Sequence, residues 1–197
     1  MHRALDIIRN EHRSLSAVLH ALRHVAAEYV ATGVQPDFKL LSTMLDYIEQ
    51  FPERLHHPKE DKHLFRLLRV RAPEARATLD ALSAEHAEGA GRIAALHEAL
   101  AHFQAGRVGA RDFADLVQDY AAFHWRHMRR EEDAVLPLAE RMLSGPDWIE
   151  INEAFEANDD PLNGIDSRMS FDTLYSRIVA MTPAPFGLGD PKASARP

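Results

Sequence analysis

The 197-residue chain contains no cysteine. That single absence removes disulfides, thiolate zinc sites, cysteine-ligated iron–sulfur clusters and thiol catalysis. Long apolar runs are missing too, and none approaches the roughly 20 residues of a bilayer span, so no membrane partner is expected. The opening Met1-His2-Arg3-Ala4-Leu5-Asp6 has no apolar stretch of signal-peptide length, which makes a cytoplasmic location the expectation. Positive charge is the minority sign: 23 Lys and Arg stand against 30 Asp and Glu, for a net charge of −7. That balance argues against a nucleic-acid or anionic-membrane partner. Strand-like alternation is lacking as well, and the helical period runs almost throughout. What is abundant is histidine, 12 residues, which with the acids supplies ligands for hard and borderline metal ions.

Four long helical stretches can be drawn. The first covers about 2–32 and stops at Thr32-Gly33; the second follows Gln35-Pro36-Asp37 and ends near Arg71. The third starts at Pro73, a good first helical residue, and runs to Ala105-Gly106. The fourth follows Gly109 and ends at Ser144-Gly145-Pro146. Connections this short force antiparallel neighbours, so an all-α, up-down-up-down four-helix bundle is expected over residues 1–145. Residues 146–182 read as two short helices docked on the bundle. One opens at Asp147-Trp148 with Ile151 and Phe155 on one side. The other follows Ser170 with Phe171, Leu174, Ile178 and Met181. Residues 183–197 read as a loose tail, six of the fifteen being Pro or Gly.

The seams of these helices are interrupted by polar residues. Helix one gives Leu5, Ile8, His12, Leu15, Leu19, Leu22, Ala26, and helix three gives Leu79, Leu82, His86, Gly89, Ile93, Leu96, Leu100, Phe103. Helix two gives Leu41, Leu45, Ile48, Pro52, His56, Glu60, His63, Leu67; helix four gives Phe113, Leu116, Tyr120, His124, His127, Glu131, Ala134, Leu138. Counted along antiparallel helices, His12, His56, Glu60, His86, His127 and Glu131 all fall about 15–25 Å from one end of the bundle. A buried glutamate without a partner is costly, so groups converging at one height ask for a common cation. Imidazole and carboxylate without sulfur suit iron, manganese or zinc, and two carboxylates able to bridge suit a dinuclear centre.

The other histidines divide by position. His24, His97 and His102 lie too far along their helices and read as surface. His57 is rotated about 100° from His56, and His20 sits beside Leu19. His124 falls three residues before His127 on the same face. It is expected either to ligate a metal or to hydrogen-bond a ligand, the alternative being a buried imidazole satisfied by Tyr120 or water. Pro52 and Pro58 each remove an intrahelical hydrogen bond, giving either a tolerated kink or a distortion that aims Glu60.

With these pieces in order, the chain resembles the hemerythrin-like, HHE cation-binding proteins. The matching segments are Asn10-Glu11-His12-Arg13, His56-His57-Pro58-Lys59-Glu60-Asp61, Ala84-Glu85-His86 and His127-Met128-Arg129-Arg130-Glu131-Glu132, followed by Val135-Leu136-Pro137. The helical extension after the bundle is similar to that of a bacterial subgroup. The resemblance implies two iron ions bridged by Glu60 and Glu131 and capped by His12, His56, His86 and His127, with zinc or manganese as substitutes. It departs from the oxygen carriers in two places. Their third helix has a second histidine four residues on, where Ala90 stands here, and their last motif has a longer interval ending in Asp. The expected function is binding of O2 or a related small oxidant for sensing, storage or stress protection. A peroxidase-like di-iron enzyme and a metal-free helical adaptor or phosphotransfer bundle are the alternatives.

Overall fold

In the computed structural model, the described residues are 2–157, 178–180, 182, 184, 187 and 188. They contain helices and no strand. Helix α1 is Arg3–Thr32, closed by Gly33 in the left-handed region at φ 69°, where a residue without a Cβ is the natural stop. Helix α2 runs over 38–71, its first turn capped by the Asp37 carboxylate, which accepts from Lys39 and Leu40 N–H at 2.9 and 3.1 Å. A 3₁₀ turn at Pro73–Ala75 leads into α3, Arg76–Gln104. Helix α4 covers 110–142 and α5 is Gly145–Glu156. No helix among the described residues is long and apolar enough to cross a membrane.

Two apolar clusters fill the bundle, and their membership gives its direction. One joins Leu5 and Ile8 of α1, Leu64 to Leu68 of α2, Leu79 and Leu82 of α3, and Val135, Leu136 and Ala139 of α4. The other joins Leu19 and Leu22, Leu41 and Leu45, Ile93 and Leu100, and Phe113 and Val117. The start of α1 therefore shares an end with the finish of α2, the start of α3 and the finish of α4, as an antiparallel bundle requires. Between the two clusters lies a band of buried polar residues.

Helices α2 and α4 are not regular. Wide π turns occupy Glu49–His56 and Glu60–Phe65 in α2 and Glu131–Val135 in α4. In the first, the His57 N–H bonds to the Pro52 carbonyl; in the last, the Leu136 N–H bonds to that of Glu131. Both are five-residue steps. A proline has no N–H and its ring crowds the carbonyl four residues back. A turn carrying one extra residue relieves that crowding, and Pro52 lies within the first such turn while Pro137 follows the last. Each wide turn shifts the buried face by one residue.

That shift corrects part of the expected seams. Beyond Glu60 the core residues are Leu64, Phe65, Leu68 and the expected Leu67, while His63 is half-buried and its Nδ1 lies 2.9 Å from Glu150 of α5. Beyond Glu131 they are Val135, Leu136 and Ala139; Ala134 is exposed. Leu116 is exposed for a different reason: in the regular part of α4 the seam steps four residues from Phe113 to the buried Val117, then three to Tyr120.

Helix α5 begins two residues earlier than expected, at Gly145, and Asp147 organises its start. Its carboxylate accepts from the Ser144 N–H at 2.9 Å and takes a bidentate grip from Arg71 of α2 at 2.9 and 3.0 Å. These partners hold Asp147 far below the ordinary carboxylate range, the Arg71 hydrogen bonds foremost. Trp148, Ile151 and Phe155 join the cluster at the α1 N-terminus, and Asn152 accepts the otherwise free N–H of Ala4 at 2.9 Å. Ile178 is buried against the other cluster. Ser170, Phe171, Leu174 and Met181, expected to build the second short helix, lie outside the described residues, as does most of 183–197.

Candidate metal centre

The structure brings His12, His56, Glu60, His86, His127 and Glu131 together in the polar band, each with less than a tenth of its surface exposed. They fall into two halves. His12 and His56 face each other with Nε2 atoms 3.2 Å apart, and His86 and His127 do the same at 3.0 Å. Glu131 reaches both halves: Oε2 lies 3.3 Å from His12 Nε2, and Oε1 lies 3.2 Å from His127 and 3.6 Å from His86. Glu60 Oε2 lies 3.4 Å from His56 and 3.6 Å from His86. Potential ligand atoms of Glu60, His86, His127 and Glu131 cluster within 4.8 Å, as do those of His12, His56 and Glu60. Glu60 belongs to both groups.

The outward nitrogens are arranged with equal regularity. His12 Nδ1 meets Glu132 at 2.9 Å and His56 Nδ1 meets Glu11 at 2.6 Å. His86 Nδ1 meets Asp61 at 2.9 Å and His127 Nδ1 meets Glu85 at 2.8 Å. Each of these acids is the sequence neighbour of a site residue but serves the histidine of another helix. Glu11 of α1 holds a ring on α2, Asp61 of α2 one on α3, Glu85 of α3 one on α4, and Glu132 of α4 one on α1. The circuit closes. A carboxylate accepts, so each ring donates from Nδ1 and presents its Nε2 lone pair inward. Sequence reasoning gave these four acids no role, because periodicity within one helix says nothing about a partner on the next. The signal was present as an acid directly beside one site residue on each helix, Glu11, Asp61, Glu85 and Glu132.

Two couples of facing lone pairs and four carboxylate oxygens that accept no hydrogen bond form a cage that repels itself unless a cation sits inside. In the metal-free chain protons take that part. Burial lowers the pKa of His12, but contact with Glu131 and Glu132 overrides it and lifts the value to about 9. His86 also rises to about 9, where Asp61 and Glu131 outweigh burial. Burial pushes His56 down. Burial, and then the neighbouring Glu131, lifts Glu60 well above the usual range. Glu131 is penalised by burial, yet the histidines around it hold it well below. The donor set thus fits divalent cations, which would displace protons from His12, His86 and Glu60.

Beside the His86/His127 half lies a further polar group. Glu53 of α2 has a nearly buried carboxyl, 3.3 Å from the Tyr120 hydroxyl and 3.5 Å from His124 Nε2. Burial is the main cause that raises its pKa to about 7. The carboxyl rests against Gly89 of α3, where a Cβ would collide with it. His124 is buried against Tyr120 and makes no hydrogen bond, and its ligand atoms fall in neither ligand group. His57, set aside by the sequence reading as turned away, is instead 4% exposed and stacked on His86 with ring centroids 4.3 Å apart. The extra residue of the preceding π turn lets two successive histidines face the axis, which a 100° step per residue does not anticipate. His24 and His97 are half-exposed, and His20 lies at the surface against Trp125.

A sequence model described as the hemerythrin HHE cation binding domain matches residues 3–139. No curated protein and no solved structure gives a match to the chain.

Proposed function

Because this chain belongs to the hemerythrin HHE cation-binding family, we propose that it holds a carboxylate-bridged pair of iron ions. The pair binds O2 or a related small oxidant for redox sensing, storage or stress protection. The observation that carries this reading is the pair of facing Nε2 couples linked by the two unpaired glutamates. His12 and His56 would hold one ion, His86 and His127 the other, with Glu60 and Glu131 between them. The donors are nitrogen and oxygen only, which suits iron, with manganese or zinc as substitutes. A bound iron pair supplies electrons and Lewis acidity to an oxidant.

The chain's own residues do the rest. Leu15, Leu82 and Tyr120, each at most 3% exposed, keep bulk water away. The four outer acids fix ring orientation, and losing such a partner typically weakens metal binding by roughly 10–100-fold. A groove of about 530 Å³ between α2 and α5 is lined by Arg54, Lys59, Lys62 and Glu150 and by none of the ligands.

The test is an anaerobic iron(II) titration of metal-free protein, followed by separate exposure to O2 and to hydrogen peroxide. Uptake of two ions with release of protons, then new charge-transfer absorption on exposure, is the expected result. Absence of iron uptake would overturn the reading. Sustained peroxide consumption with an external reductant would assign the centre to the enzymatic alternative.

A further inference from the structure

We propose that His57 is a fifth imidazole ligand, bound to the ion held by His86 and His127. The inference rests on the dinuclear reading above and goes beyond it by naming a ligand outside the His-x-x-x-Glu pattern. Ligand atoms of His57, His86 and His127 lie within 4.8 Å of one another, a third group of the same kind as the two already described.

The environment of His57 repeats that of the other four rings. Its Nδ1 lies 3.3 Å from a carboxylate oxygen, Glu53 Oε2, just as each of theirs faces Glu132, Glu11, Asp61 or Glu85. That contact leaves Nε2 for the interior. The ring lies parallel to His86 with an interplanar angle of 10°, so both rings approach the same space side by side.

Two other residues fit the assignment. Helix α3 has Ala90 one turn beyond His86 and so offers no second ring of its own. Gly89, directly before it, clears the space that the Glu53 carboxyl fills to hold His57. The histidine that α3 lacks is supplied from α2, by way of the π turn at Glu49–His56. The two ions are then unequal, with three imidazoles on one and two on the other.

Zinc is the probe, being free of redox change. Calorimetric titration of metal-free protein should show two sites in the native chain. In His57→Ala and His57→Gln one of these should weaken by about 100-fold or more, beyond the loss of an outer partner, while the other is unchanged. Added imidazole should restore the lost site in His57→Ala. Glu53→Gln should weaken the same site by a smaller factor. A crystal structure of the zinc-loaded native protein decides the matter even if a variant fails to fold, since it should show His57 bonded to the His86/His127 ion. Native affinities at both sites in the variants, or an unbonded His57 in that crystal, would overturn the proposal. A native chain that takes up no zinc pair would instead reject the dinuclear reading.

Discussion

Glu131→Ala is expected to abolish binding of both metal ions, lowering affinity by well over the roughly 100-fold that an outer partner can cost. Glu131 is the residue whose two oxygens point to different halves, Oε2 to His12 and Oε1 to His86 and His127. Truncation should therefore disorganise the pair rather than remove one member. The metal-free protein should suffer too. Glu131 is the shared counter-charge for buried His12 and His86, and breaking a buried ion pair costs about 3–5 kcal/mol. The sign of the pH dependence follows from the shifts. Glu131 is held below its ordinary pKa, so its contribution is present above about pH 4.5 and lost as pH falls further. His12 and His86 are raised to about 9, so theirs is complete below their ordinary 6.5 and lost as pH rises through about 9. Urea denaturation of metal-free native and variant protein should show the largest gap between those limits and convergence outside them. A constant gap from pH 4 to pH 10, or full metal occupancy in the variant, would contradict this account.

The second large effect is expected far from any ligand. Phe155→Ala should destabilise the chain by about 3–5 kcal/mol, as truncation of a large core aromatic does. Phe155 is 1% exposed and lies in one cluster with Leu5, Ile8, Leu64 and Trp148. It anchors α5, which in turn closes the bundle end by capping α1 through Asn152 and by pairing Asp147 with Arg71. Its ring also lies against His56, 6.2 Å between centroids, so the cavity would open toward the centre. For a chain of this length the loss corresponds to a melting temperature lower by on the order of 10 °C. Ile149→Ala, on the exposed side of the same helix at 61% exposure, should change stability by less than about 0.5 kcal/mol. Equal melting temperatures for Phe155→Ala and native protein would mean that α5 is not part of the core.

Which parts of this could be read from the sequence depends on where the helices stay regular. The seams of α1 and α3 are read residue for residue, from Leu5 to Ala26 and from Leu79 to Phe103, because a fixed 3-4 step holds along an unbroken α-helix. His56, Glu60, His127 and Glu131 are also buried as expected: His127 precedes and Glu131 opens the wide turn in α4, Glu60 opens the second one in α2, and His56 closes the first. Past those turns the reading slips by one residue, taking His63 for Leu64 and Ala134 for Val135. The prolines at 52, 58 and 137 were the available warning. His57 was missed for the same reason. The acid circuit of Glu11, Asp61, Glu85 and Glu132 was missed for another: it is a property of neighbouring helices, and no single-helix pattern contains it.

The most direct measurement is metal content combined with Mössbauer spectroscopy on protein loaded with ⁵⁷Fe and oxidised. The account predicts two iron ions per chain, antiferromagnetically coupled through the bridging carboxylates, with two distinct signals because their imidazole counts differ. A single iron per chain, or two that behave as isolated paramagnets, would contradict a centre bridged by Glu60 and Glu131.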